Sequence, residues 1–355
     1  MNFRYIRFVK NKIHWFIDFY SNYKKANISA SKIDLFKSFL SGYYYETYVL
    51  FDINKFKKNI YIKDVWYNKA HPFNGKFSSI IDNKIYLPYL LNNYSEYVPK
   101  CYYFIDKGKL FDLRSNKKVS NMDDFIEFVV NQKKCVFKHT SLSGGKGFYL
   151  LQFEENKFYL NKKNVSKNEI VEFIQSLTSY IIVEFIIQAD YAMKINDSSV
   201  NTIRMICVYD EDKERFIMPL SFHRFGTNGD VVDNISSGGG CLVYVDVETG
   251  RTKDYGIARN NKGELILKKN IIHPDSEIDL SNFVIPRFVD IKNKILEIMN
   301  SFVFLKYVGV DVVVTNNSFK IIEINSFPGI KTIMGSEDYA GNDVLRKFYK
   351  KHGLL

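Results

Sequence analysis

Long apolar runs, paired cysteines and the common glycine signatures for nucleotides are all missing from this chain. Its four cysteines, Cys101, Cys135, Cys207 and Cys241, stand far apart with no CxxC pair, which argues against a disulfide framework and fits a reduced cytosol. Three of them lie in apolar, strand-like runs, where a thiol behaves as a small hydrophobe. The N-terminal stretch MNFRYIRFVKNKIHWFIDFY is interrupted by Lys10, Lys12, His14 and Asp18, so neither a secretory signal nor a spanning helix is expected there. At most it is a basic amphipathic helix touching a membrane surface, and an ordinary packed surface helix is the plainer reading. There is no GxGxxG fingerprint, no GxxxxGK[ST] loop and no repeat of 20 to 50 residues. A nucleotide, if used, is held by another scaffold.

What is present is ample material for a core: 355 residues, 46% hydrophobic and 16% aromatic, enough for two or three packed subdomains. The formal charge of +11 suits an acidic partner such as a nucleotide, a sugar nucleotide, a polyprenyl-phosphate sugar or an anionic membrane face. Lysine pairs are scattered along the chain (Lys24-Lys25, Lys57-Lys58, Lys117-Lys118, Lys133-Lys134, Lys268-Lys269) rather than gathered on one arm. Solvated surface explains them, and nucleic acid is not an expected partner.

Residues 1–60 carry spaced apolar positions, with Ser31 and Asp34 bracketing a helix start, and read as a helical N-terminal region. Residues 61–100 are punctuated by His71-Pro72, Asn74-Gly75 and Leu87-Pro88, the texture of loops and short elements. From Cys101 to about 190 the pattern gives short strands, helices over 122–132 and 167–176, and a glycine loop. Residues 191–355 follow with long β-branched strands, a helix over 288–300, a hairpin turned at Asn316-Asn317 and a closing helix over 343–351. The apolar strand YIIVEFII and the strands after it suggest one central antiparallel sheet. Mixed rather than alternating elements make the fold class α+β, not a doubly wound parallel sheet.

Four segments carry chemistry. In the hairpin GVDVVV…EIN, alternation places Glu323 and Asn325 on one face with Asp311 opposite, while the intervening valines and isoleucines turn away. Three hard oxygen donors sharing a face suit Mg²⁺, which takes a few protein ligands plus phosphates; the plain alternative is two acids facing solvent. In KHTSLSGGKG, the backbone N–H groups of Ser143, Gly144 and Gly145 can fold over phosphates like a lid, with Lys138 on the preceding strand adding charge. In VEFIIQAD, the C=O of Phe185 and N–H of Ile187 just after Glu184 can hold an adenine, with Asp190 accepting from a ribose. Finally, Arg204 on an apolar strand needs an anionic partner, a structural salt bridge being the plain alternative, and Arg224, ten residues before Asn234, can meet a transferred phosphate or a substrate carboxylate.

In this order, Lys138, the SLSGGKG loop, VEFII, Arg204, Arg224, Asn234, Asp311 and EINSFPG resemble the ATP-grasp superfamily over roughly residues 82 to 335. RFGTNGDVVDNISSGGG with EINSFPGI looks like the glutamate-ligase-like branch. VNTIRMICV and GGCLVYVDVETGR look closer to the sugar-transfer-associated proteins found with surface-polysaccharide genes. The resemblance implies two α+β subdomains clasping ATP with Mg²⁺: an N-subdomain over 101–190 with the glycine lid and a C-subdomain over 191–355 with the metal site. It implies Lys84 and Lys138 on phosphates, Phe185 and Ile187 on adenine, Asp190 on ribose, and Arg204, Arg224 and Asn234 in catalysis. Asp190 departs from the Glu or His often found near that point. The implied activity is a cytoplasmic carboxylate–amine ligase working through an acyl phosphate, joining an amino acid to a sugar acid or amino sugar of a surface polysaccharide, the sugar carried on a nucleotide or a lipid. A kinase acting on a hydroxyl, or a silent nucleotide- or polyanion-binding protein, are the other readings.

Overall fold

A computed structural model describes residues 3–26, 28–53, 61–142, 144–230, 232–233, 235, 240–261 and 263–355. Helices α1 (Phe3–Ala26), α2 (Lys32–Ser41), α3 (Tyr45–Leu50) and α4 (Asp64–Ala70) come first, then the one-turn helices α5 (Ser78–Ile81) and α6 (Leu87–Leu90). Ser31 caps α2 as its spacing predicts, its hydroxyl accepting from the Asp34 N–H at 3.1 Å.

The first sheet contains β1 (Cys101–Asp106), β2 (Lys109–Asp112), β3 (Lys117–Lys118), β4 (Lys134–His139), β5 (Phe148–Glu154), β6 (Lys157–Leu160), β7 (Lys163–Val165) and β8 (Tyr180–Glu184), in the order β3-β2-β1-β8-β4-β5-β6-β7. The strand expected to join the later strands therefore sits here, as β8 between β1 and β4, and it ends at Glu184. Alternation fixes which face a strand buries, but not which sheet receives it. Helices α7 (Met122–Gln132) and α8 (Lys167–Ser176) pack Phe125, Val129, Ile170 and Ile174 on one face. The other face, with Val136, Ile181 and Val183, is left for the cleft between the sheets.

After α9 (Asp190–Ile195) the second sheet runs β13-β12-β11-β10-β9-β14-β15, from β9 (Ile203–Asp210), β10 (Arg215–Phe225), β11 (Cys241–Val245), β12 (Thr252–Arg259), β13 (Leu265–Lys269), β14 (Tyr307–Val314) and β15 (Phe319–Asn325). All described pairings in both sheets are antiparallel, and the fold is α+β. Helix α10 (Phe288–Asn300) covers one face through Phe288, Ile291, Ile295 and Ile298, packed on Met205, Val308, Val310 and Val312. The N-terminal region and helices α11 (Ile330–Met334), α12 (Glu337–Gly341) and α13 (Asp343–Lys351) cover the other, against Ile206, Leu220, Tyr244 and Tyr307.

Gly256 on β12 allows β11 to come close: a Cβ there would fall 2.0 Å from the carbonyl oxygen of Leu242. Gly256→Ala therefore forces backbone apart in a packed sheet and is expected to lower stability by about 3 kcal/mol in urea unfolding. A loss below about 1 kcal/mol would show that the sheet yields there without strain.

Candidate active site at the cleft between the sheets

The site is built on the end of the second sheet where β9, β10, β14 and β15 lie side by side. Asp311 on β14 pairs across to Arg204 on β9 and to Glu323 on β15, so the three side chains share one face. Arg204 grips Asp311 with Nε on Oδ1 and Nη2 on Oδ2, the latter at 2.9 Å. Arg224 reaches the same carboxylate, Nη2 to Oδ2 at 3.1 Å, and also Asp233, Nε to Oδ2 at 3.6 Å. Asp233 accepts from the Thr202 N–H at 2.8 Å and from the Thr202 hydroxyl. Burial pushes the Asp311 carboxyl up, but the two guanidiniums outweigh it and hold the group below the usual carboxylate range. Asp233 shows the opposite balance, burial raising it against the pull of Arg224.

Alternation alone misplaces part of β15. Its register shifts between the Asp311–Glu323 and Val312–Ile321 pairs, leaving Ile322 as an extra residue. Phe319, Ile321 and Ile324 pack beneath the sheet with α10, whereas Ile322 lines the cleft beside Lys84 instead of turning away with the other isoleucines. Glu323 and Asn325 are brought to the Asp311 face as expected, and Asn325 Nδ2 lies 3.4 Å from Asp311 Oδ2.

Residues 61–100, the stretch hardest to read, carry two groups into this place. Lys84 meets Glu323 Oε1 at 2.9 Å and donates to the Leu142 carbonyl of the glycine loop at 2.8 Å. Its own N–H donates to the Thr140 carbonyl at 2.8 Å. Asp82 holds the turn after Asn325, accepting from the Ser326 N–H at 2.7 Å and hydroxyl at 2.6 Å. The next turn is braced from α4, where the Tyr67 ring stacks on Phe327 at 4.6 Å and its hydroxyl donates to the Pro328 carbonyl at 2.6 Å.

From the first sheet, β4 offers Lys138, whose pKa is lowered by burial against the pull of Glu323. With Lys84 it lines a cleft whose apolar wall includes Val98, Ile181 and Val183. The glycine loop closes toward the second sheet, for Gly145 (φ +74°) leaves room for Val232, which a Cβ would meet at 2.4 Å. Ser143 and Asn234 lie outside the described residues.

The linker after β8 crosses from one sheet to the other. Phe185 is half-buried with Lys134 Nζ 5.5 Å from its ring centroid, Ile187 is exposed, and the Ala189 N–H donates to the Val314 carbonyl at 2.8 Å. Glu184 turns back, accepting from the Lys100 N–H at 3.1 Å. Asp190 is exposed and fixed to the hairpin turn, its Oδ1 accepting from Asn316 Nδ2 at 2.9 Å. The structure thus draws Lys84, Lys138, Arg204, Arg224, Asp311, Glu323 and Asn325 together, with Phe185, Ile187 and Asp190 on the crossing segment.

Sequence reasoning passed over Asp233, Asp82 and Tyr67. The first was legible in principle: an inward arginine at 224 calls for an acid, and Asp233 stands in the loop that returns toward it. The other two act through pairings across more than two hundred residues, which no local pattern records.

Glu323 and Asn325 are suitable magnesium donors. Glu323 keeps Oε2 beyond its contact with Lys84, and Asn325 keeps its carbonyl oxygen. Asp311 is committed to two guanidiniums, so it is a ligand only if one of them moves to another anion. Among the described residues no three His, Cys, Asp or Glu side chains gather into a metal site. An ion held by Glu323 and Asn325 would have to fill the rest of an octahedral shell with oxygens from elsewhere, such as those of phosphates.

The profile of the sugar-transfer associated ATP-grasp family matches residues 67–346. The chain belongs to that family. Its two antiparallel sheets facing each other across a cleft are the ATP-grasp fold. No curated protein matches it. Among solved structures, the ATP-grasp ligase PsnB complexed with a minimal precursor is similar over 78% of this chain, at 10% identity and a TM-score of 0.39. This chain spans 63% of PsnB's length. D-alanine–D-alanine ligase from Bacillus anthracis is similar over 77% of this chain and 69% of its own, at 10% identity and 0.37. N5-carboxyaminoimidazole ribonucleotide synthetase, solved with ADP, is similar over 71% and 46%, at 10% identity and 0.39.

Proposed function

We propose that this ATP-grasp protein is an ATP-dependent ligase that activates a carboxylate as an acyl phosphate and passes the acyl group to an amine. The observation that carries the reading is the convergence of Arg204 and Arg224 on one buried carboxylate, beside Glu323 and Asn325 and across the cleft from Lys138. Phosphoryl transfer needs positioned cations around a developing negative charge rather than a protein nucleophile. The cysteines support that view, since burial pushes all four thiols up to about 12 and none is a ready thiolate.

In this reading Lys84 and Lys138 bind the nucleotide phosphates, and Phe185 and Ile187 present backbone groups to the adenine. Asp190 takes a ribose hydroxyl. Glu323 and Asn325 hold Mg²⁺ together with those phosphates; bound there, the ion neutralises phosphate charge and orients the group in transfer. Arg224 turns from Asp311 toward the substrate carboxylate and its phosphorylated form, with Arg204 keeping Asp311 neutralised. Asn234 takes the catalytic part that its place in the motif implies. The sugar-transfer association of the family favours an amino acid and a uronic acid or amino sugar of a surface polysaccharide as the pair joined.

The direct test is a screen of amino acids against sugar acids and amino sugars, read by ADP release and product mass. A pair that releases ADP and yields a product heavier by the condensation of both supports the proposal. ADP release with a phosphorylated product of either partner alone would sink the amide-forming step.

The loop from Ser141 to Gly147 acts as the lid. Lys146 is exposed at its tip and gives trypsin a cleavage site. Cleavage there is expected to slow several-fold with a non-hydrolysable ATP analogue, as phosphates order the loop. Equal rates with and without the analogue would count against a lid.

A further inference from the structure

We propose that α1 and α2 form a docking surface for an anionic lipid bilayer. Large apolar side chains line the outer side of this pair: Ile13, Phe16, Ile17 and Tyr20 on α1, and Ile33, Phe36 and Leu40 on α2, each at least 45% exposed. On α1 they recur at three- and four-residue spacing, so they make one stripe rather than scattered exposures. The helices are locked side by side. Trp15 donates to the Phe39 carbonyl at 3.2 Å and stacks on the Phe39 ring, which meets Phe16 edge-on at 5.9 Å. The two stripes therefore join at Phe39 into one surface, while Phe19 and Ser38 face inward.

An apolar surface of this breadth is costly in water and marks an interaction site. The charges around it select the partner. Lys24, Lys25, Lys32 and Lys37 are exposed on the same two helices. The two described acids there are already engaged: Asp18 accepts from the Tyr44 hydroxyl at 2.6 Å and Asn68 at 3.1 Å, and Asp34 accepts from the Ser31 hydroxyl at 2.8 Å. Two copies meeting through this face would bring their lysines together, a like-charge cost that an anionic lipid surface turns into attraction. No described helix is long and apolar enough to cross a membrane, so the pair lies at the interface with its rings and branched chains among the headgroups.

The test is sedimentation of the full chain with phosphatidylcholine vesicles, with and without phosphatidylglycerol, at low and high salt. Co-sedimentation with the anionic vesicles alone, weakened by salt, is expected. Lys24→Glu with Lys25→Glu lowers partitioning about tenfold or more. Ile17→Gln, Phe36→Gln and Leu40→Gln together remove binding even at low salt, with little change in the melting temperature, since all three are at least 60% exposed. The proposal is overturned if the unmodified chain stays in the supernatant with anionic vesicles at low salt, or if the triple variant binds as well as the parent. It is equally overturned if sedimentation equilibrium shows a dimer that the triple variant dissolves, for the surface then joins two copies.

Discussion

Glu323→Gln is expected to cut turnover on the order of a thousandfold while the fold stays intact, because the change removes a charge and no volume. Glu323 is held where it can act by the irregularity at Ile322, which sets it facing Asp311 and within 2.9 Å of Lys84. In the proposed reaction a carboxylate there would hold Mg²⁺ together with nucleotide phosphates and keep Lys84 aligned with them, and a neutral amide would do neither. The check is ADP production at saturating magnesium, alongside a melting curve. Near-parental ADP production by the variant would remove Glu323 from the site.

Asp311→Ala is expected to act on stability as strongly as Glu323→Gln acts on turnover. It leaves Arg204 and Arg224 largely buried, with the carboxylate that both of them grip removed. Breaking such a network from one side costs about 3–5 kcal/mol, because uncompensated charge remains in a poorly hydrated place. Replacing Arg204 by Met and Asp311 by Leu together should recover much of that loss, and urea unfolding of the single and double variants measures the coupling. A loss below about 1 kcal/mol for Asp311→Ala would mean that water reaches the guanidiniums freely. The pH dependence has a definite sign. Since the Asp311 carboxyl sits below its ordinary range, its contribution is complete above that range and fades only as acid carries the pH down through the lowered value.

The hairpin with Asp311, Glu323 and Asn325 was legible because two local signals agree, strand alternation on both arms and an Asn-Asn turn between them. Arg204 was legible for another reason, since a guanidinium in an apolar strand calls for a partner. What alternation could not supply was register. Ile322 lines the cleft because β15 gains a residue against β14, and β8 left the expected central sheet because strand order depends on distant pairing. Lys84 was placed through the family resemblance, and the structure gives it a physical account: a short helical segment brings it between Glu323 and the glycine loop. The outer stripe of α1 was visible as an amphipathic pattern, but its continuity with α2 required the Trp15–Phe39 contact.

In the proposed reaction the carboxylate is activated as an acyl phosphate, and oxygen transfer from the substrate reads that step. With the productive carboxylate labelled with ¹⁸O, one labelled oxygen should appear in the released phosphate, and hydroxylamine should capture a hydroxamate when the amine is withheld. Arg224→Ala should diminish both signals. Unlabelled phosphate from a turning-over reaction, or a stable phosphorylated product with no hydroxamate, would contradict the ligase reading while leaving the fold and the family as they are.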